Sequence, residues 1–171
     1  MTDIALTFER PSLVQRAARG DRLAFERLVT QNADGLLRLA TSIVLDSSAA
    51  QDVVQEGLLA AWRALPGLRD PDAFDMWVRR IVANKAKTLL SRHRQPLQLP
   101  NASVIEDNHD TIDLKEAIRH LEAKDRALLE LHYLEGRTVQ ECAYVLEIPS
   151  GTVKSRLHSI RGHLREVLRD E

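Results

Sequence analysis

The sequence predicts an all-α protein of two small helical domains joined by a flexible acidic linker, the second domain containing a helix-turn-helix. Three observations carry this expectation. Aromatic residues are 4% of the 171 positions and glycine occurs seven times, against 44% hydrophobic residues, a balance that favours helices. Where an apolar pattern can be read its period is helical, with i, i+3, i+4 and i+7 on one face. One stretch, QPLQLPNASVIEDNHDTID, has two prolines, no helical period, and Glu106, Asp107, Asp110 and Asp113 without a Lys or Arg. A stretch of that length without secondary structure is either disordered or functional. The domains expected are therefore residues 1–95 and 114–171, with 96–113 as linker. Such a linker would leave the two domains at no fixed separation.

The first domain reads as helical throughout. Ser12 to Arg19 is a short helix closed by Gly20, with Asp21 as the next cap. Leu23, Phe25, Leu28 and Val29, then Leu36, Leu37, Leu39, Ala40, Ile43 and Val44, continue as one long helix or two abutting ones, with a kink open at Gly35. Asp46-Ser47-Ser48 starts another helix, Ser48 and Gln51 forming a capping box. Its apolar stripe is Val54, Leu58, Ala61, Trp62 and Leu65, and Asp52, Gln55 and Glu56 point elsewhere. Pro66-Gly67 ends it, and a loop from Leu68 to Asp72 leads into a helix from about Ala73 to His93.

That helix is cationic. Met76 to Arg94 holds Arg79, Arg80, Lys85, Lys87, Arg92 and Arg94 and no acid. Val78, Ile81, Val82 and Leu89 form its packed side, while Arg80, Asn84, Lys87 and Ser91 fall at i, i+4, i+7 and i+11 on a separate polar stripe. An Asn among cations can read a base edge while its neighbours hold phosphate. A solvated helix face fits the same pattern when it is taken alone. Trp77 fits core packing better than a base-stacking platform.

In the second domain, Leu114, Ala117, Ile118 and Leu121 mark one helix and Leu128, Leu129, Leu131 and Leu134 the next. Both would pack under Gly136 to Arg165. There Val139, Cys142, Ala143 and Leu146 form a buried face, Pro149 and Gly151 break the pattern, and Thr152 caps the next helix. A second stripe runs through Val153, Leu157, Ile160 and Leu164. Lys154, His158, Arg161 and Arg165 share another side, Ser155, Ser159 and Gly162 lie beside them, and no acid occurs from Thr152 to Arg165. A helix anchored on one side and cationic on the other is what the major groove admits. The plainer alternative is an αα-hairpin whose exposed side is basic.

Net charge is −1, so charge alone does not indicate nucleic acid. Its distribution does: residues 1–95 carry 14 Lys+Arg against 11 Asp+Glu, 96–113 none against four, and 114–171 ten of each. A single Cys142 forms no internal disulfide, which suits a reducing cytoplasm. None of the six His has a metal-ligand spacing, and no metal or cofactor is expected. No apolar run is long enough to span a bilayer, and Asp3 and Glu9 argue against a signal peptide. An enzyme, such as a nuclease, is disfavoured. Asp52 and Glu56 sit at i, i+4 without a third ligand, and no nucleophile constellation or Gly-rich phosphate loop exists.

The order DVVQEGLLAAWRAL, FDMWVRRIVANKAKTLLSRHR, an acidic linker, then YLEGRTVQECAYVLEIPSGTVKSRLHSIRGHL resembles the extracytoplasmic-function (ECF) sigma factors of bacterial RNA polymerase. These are short members of the sigma-70 family with regions 2 and 4 only. The resemblance runs from about Ser12 to Leu168, and several motifs in order are far more specific than one helix-turn-helix. It implies a subunit that directs core RNA polymerase to specific promoters and helps open the −10 element. The helix of Asp52, Gln55 and Glu56 resembles region 2.2, which docks on the coiled coil of the β′ clamp. The helix of Arg80, Asn84, Lys87 and Ser91 resembles regions 2.3–2.4, which open and read the −10 element as single strand, and Asn84 falls on a family Asn. The Pro66–Asp72 loop resembles the segment that captures a flipped base.

The linker resembles the segment threaded through the polymerase. The last helix resembles region 4.2, which reads the −35 element in duplex DNA, and region 4 also implies the β flap as a partner. Its contacts would come from Thr152, Lys154, Ser155, Arg156, His158, Ser159, Arg161 and Arg165. An anti-sigma factor is a further implied partner, since no added C-terminal domain is seen. The family often has Gly where Glu147 stands, a basic residue where Ser159 stands, and Pro where Glu122 stands. A positive φ at Glu147 would be strained. A decoy that binds an anti-sigma factor without initiating transcription is the alternative reading.

Overall fold

Helix boundaries follow local chemistry. The computed structural model describes residues 11–92 and 109–167, and residues 11–18 are helical (α1). Gly20, at φ +95° and with open space around it, ends α1, so its backbone and not its packing requires glycine. Asp21 accepts hydrogen bonds from the Arg16 guanidinium at 2.9 and 2.6 Å and from the Ala24 N–H at 3.1 Å. It thereby caps α2 (Arg22–Val44), which runs unbroken through Gly35.

Asp46 caps α3 (Ser47–Ala64), its carboxylate accepting from the Ala49 N–H at 2.6 Å. The capping box expected at Ser48 and Gln51 therefore lies inside the helix, displaced by an equally good cap earlier in the chain. The buried face of α3 is also rotated from the one expected. Ala50, Val53, Gly57 and Ala61 are buried, while Val54, Leu58 and Trp62 are half-buried on its flank. Small residues let α4 (Phe74–Arg92) approach closely: a Cβ on Gly57 would lie 2.7 Å from Val82 Cγ2. Between them, 3₁₀ turns at Leu65–Gly67 and Pro71–Ala73 reverse the chain. On α4, Phe74, Val78, Val82, Ala83 and Ala86 face inward, and Ile81 and Leu89 are only half-buried. Trp77 packs beside Phe74, with ring centroids 6.0 Å apart.

In the second half, α5 (His109–His120) begins inside the segment expected as linker, and the rest of that segment, residues 96–108, lies outside the described residues. Next come α6 (Ala123–Leu128), a π-helical turn (Leu129–Leu134), α7 (Val139–Leu146) and α8 (Ser150–Val167). The wider turn shifts the helical phase. Leu134, expected inside, is 72% exposed, and Glu130 and Glu135, five residues apart, both have buried side chains.

The two halves touch. α2 packs on α6 and α4 on α7, and one buried apolar cluster runs from Leu13 to Ile160. Arg126 of α6 reaches the end of α2, donating to the Ser42 carbonyl at 2.6 Å and the Ile43 carbonyl at 2.9 Å. These are carbonyls at the last turn of a helix, where a cation also meets the negative end of the dipole. The fixed separation that the linker composition argued against is set by this packing. No strand occurs among the described residues, and none of their helices is long and apolar enough to cross a membrane.

Gly57→Ala is expected to lower stability by about 1 kcal/mol, the overpacking cost against Val82 exceeding the gain in helix propensity. Urea unfolding followed by circular dichroism measures it, and an increase in stability would mean the α3–α4 contact is looser than described.

Candidate nucleic-acid interface

The helix-turn-helix is built from two well-determined ends. Thr138 caps α7 with its side chain, accepting from the Glu141 N–H at 3.2 Å, while Glu141 accepts from the Thr138 N–H at 2.8 Å. Cys142, Val145 and Leu146 are buried under it, and Val139 and Ala143 are half-buried. The turn passes through Glu147, a left-handed residue at φ 56° and ψ 48°. Left-handed backbone costs a non-glycine residue roughly 1–2 kcal/mol. The condition for strain at Glu147, a positive φ, is met.

The second helix starts at Ser150, so Thr152 lies in its first turn and is not its cap. Val153, Leu157 and Ile160 anchor it. Lys154, Ser155, His158, Ser159, Arg161 and Arg165 are exposed along one side. Arg156 is not with them: its guanidinium is bound to Asp125 at 2.8 Å and Glu122 at 3.0 Å. Its charge ties α8 to the start of α6, and two carboxylates already occupy the group expected to meet DNA. Hydrogen bonds to Asp125 and then Glu122 raise its pKa further.

The stripe on α4 has a different fate. Arg80 Nε donates to Glu147 Oε1 at 2.8 Å, and its guanidinium lies 5.0 Å from the centre of the Tyr144 ring. Lys87 Nζ donates to Asn84 Oδ1 and to the Leu146 carbonyl, both at 3.0 Å. Burial lowers the Lys87 pKa, and hydrogen bonds from Arg80 and then Asn84 hold the Glu147 carboxyl below its ordinary value. Of the four stripe residues, Arg80, Asn84 and Lys87 are half-buried and Ser91 is exposed. The face expected to be free for nucleic acid is thus covered by α7 and the turn after it. Pairwise contacts this far apart in sequence leave no local signal.

Asp52, Gln55 and Glu56 are all exposed on α3 and, at i, i+3 and i+4, share one side of it. Asp52 and Glu56 line a groove of about 520 Å³ with Asp46, Lys85 and Arg92, where Lys85 Nζ stands 3.5 Å from Glu56 Oε2. Gln55, at the edge of that side, also lines a hollow with Phe25, Leu58, Leu59 and Trp62. Leu59, absent from the candidate residues above, is 57% exposed. Its signal is its place four residues after Gln55, which puts a large apolar side chain on the polar side of the helix. No group of three metal-ligating side chains occurs among the described residues.

Two family models match the chain: sigma-70 region 2 over residues 28–95, and sigma-70, region 4 over residues 111–164. The RNA polymerase sigma-H factor of Pseudomonas aeruginosa is 32% identical over 180 residues, covering 91% of this chain and 92% of that protein. The ECF RNA polymerase sigma-E factor of Salmonella typhimurium is 31% identical over 173 residues, covering 87% and 88%. The chain belongs to the ECF sigma factors of the sigma-70 family. Being an RNA polymerase sigma factor, it directs core polymerase to promoters for transcription initiation. Its fold is similar to that of CnrH, solved in complex with the cytosolic domain of CnrY, with a TM-score of 0.73, 28% identity, and coverage of 95% of this chain and 98% of that one.

Within this sigma factor, Cys142 reports on the integrity of region 4. Burial is the main cause that pushes its thiol from an ordinary 9.0 up to about 11. The shift cuts the thiolate fraction near pH 8 by about a hundredfold, and burial removes access as well. Reaction with a disulfide reagent at pH 8 should therefore be slow in buffer and fast in urea. Equal rates would place Cys142 outside the core.

Proposed function

We propose that the two DNA-reading surfaces of this sigma factor are α8 for the −35 duplex and the Arg80/Asn84/Lys87/Ser91 stripe of α4 for the −10 single strand. The observation that carries the reading is α8: an exposed, acid-free cationic side opposite a side anchored by Val153, Leu157 and Ile160. Lys154, Arg161 and Arg165 hold phosphate, while Thr152, Ser155, His158 and Ser159, nearer the helix start, set base preference. Asp52, Gln55 and Glu56 serve docking on the β′ clamp coiled coil, and region 4 also meets the β flap. Exposure of all three side chains away from the α3 core supports this. The protein works in the cytoplasm, has no chemistry of its own, and is held in check by an anti-sigma factor. That CnrH was solved in complex with another protein's domain supports control by a bound partner.

Run-off transcription with core polymerase across a genomic promoter library tests the whole reading; binding to core without any transcript would favour the decoy. Asp52→Ala with Glu56→Ala should weaken core binding and leave the melting temperature within a degree or two, as expected for exposed substitutions. Unchanged affinity for core would remove these residues from the docking surface. In holoenzyme, Arg161→Ala should lower the salt slope of promoter binding by about one, and His158→Ala should alter sequence preference by about 1–3 kcal/mol at one base. Identical effects of the two would refute the division.

A further inference from the structure

We propose that the helix-turn-helix turn of region 4 acts as an internal stand-in for the −10 strand, so that the free sigma factor cannot bind single-stranded DNA until its two halves part. The inference rests on the assignment of Arg80, Asn84 and Lys87 to −10 DNA. The turn offers that stripe what a nucleic-acid strand offers. The Glu147 carboxylate meets Arg80 as a phosphate would, the Leu146 carbonyl meets Lys87 as a base-edge acceptor would, and the Tyr144 ring lies against the Arg80 guanidinium as a base would.

Two local features fit closure, one in each half. Glu147 keeps a carboxylate at a left-handed position where glycine would be unstrained. Gly35 lies in mid-helix, where alanine is the better helix former, yet a Cβ there would stand 2.7 Å from Arg79 Nη2 and 2.8 Å from Glu135 Oε1. Those two side chains form the buried ion pair between the halves, at 2.8 Å. Glycine at 35 clears space for both members of the pair that joins the halves, as glutamate at 147 is a plug for region 2.

The test uses the full chain and a fluorescent pool of 12-nucleotide single strands of random sequence, with binding read by anisotropy at physiological salt. Gly35→Ala wedges the ion pair from region 2. Glu135→Gln with Glu147→Gly removes both carboxylates from region 4. None of the three residues belongs to the DNA-reading surfaces, and circular dichroism confirms that each variant is folded. If about nine-tenths of the free protein is closed, both variants should bind the pool about tenfold more tightly than the parent. Arg80→Ala with Lys87→Ala, added to either variant, should abolish that gain. Should either opening variant fail to fold, the other carries the test.

Folded variants that bind no more tightly than the parent, while Arg80→Ala with Lys87→Ala still weakens binding, would overturn the stand-in and leave the −10 assignment intact. If Arg80→Ala with Lys87→Ala changes nothing in any background, the −10 assignment fails, and the stand-in falls with it.

Discussion

The relation between the two halves depends on one buried ion pair. Arg79 sits on α4 with its guanidinium held by the Asn32 side chain at 2.8 Å and the Asp75 carbonyl at 3.1 Å, and its charge is answered by Glu135 at 2.8 Å. Both side chains are almost wholly out of water, 6% and 5% exposed. Desolvating two charges offsets much of their attraction, so the pair adds little net adhesion; removing one partner costs about 3–5 kcal/mol, because the other stays buried and unanswered. Such a pair acts as a register pin. The apolar cluster from Leu13 to Ile160 supplies the cohesion, and Arg79 with Glu135 decides where the halves meet.

Once that register is set, the remaining contacts fall into place around it. Arg38 reaches Glu130 at 2.8 Å, Arg126 closes the end of α2, and Glu147 arrives over Arg80. The π-helical turn at Leu129–Leu134 makes this possible, because its extra width puts Glu130 and Glu135 on the side facing region 2. The same α4 helix therefore has two rival occupants. Its cations suit a polyanionic strand, and in the free chain they are taken up by carboxylate, carbonyl and aromatic ring.

Much of this is legible in the sequence, and the failures share a physical cause. Helix periods, the break at Pro149, the cap at Asp21 and the cationic side of α8 are local, and local pattern finds them. The phase of α3 is misread because its buried face is made of Ala50, Gly57 and Ala61, small residues suited to close approach and not to a hydrophobic stripe. Leu134 is expected inside because a π turn breaks the period that is extended through it. Arg156 reads as a DNA contact because its partners Glu122 and Asp125 stand more than thirty residues earlier. Gly35 reads as a kink, and only the tertiary structure shows it as clearance. The glutamate at position 147 is recognisable as anomalous; its partner, 67 residues away, is not.

Small-angle X-ray scattering of the full chain at physiological salt distinguishes a closed free sigma factor from an open one. One packed body of this length has a radius of gyration of about 16 Å, somewhat more with loose ends, whereas two separated domains on a linker give about 20 Å or above. A closed free chain gives the smaller value. A radius of about 20 Å or more, with the two-body profile of domains moving apart, would contradict it.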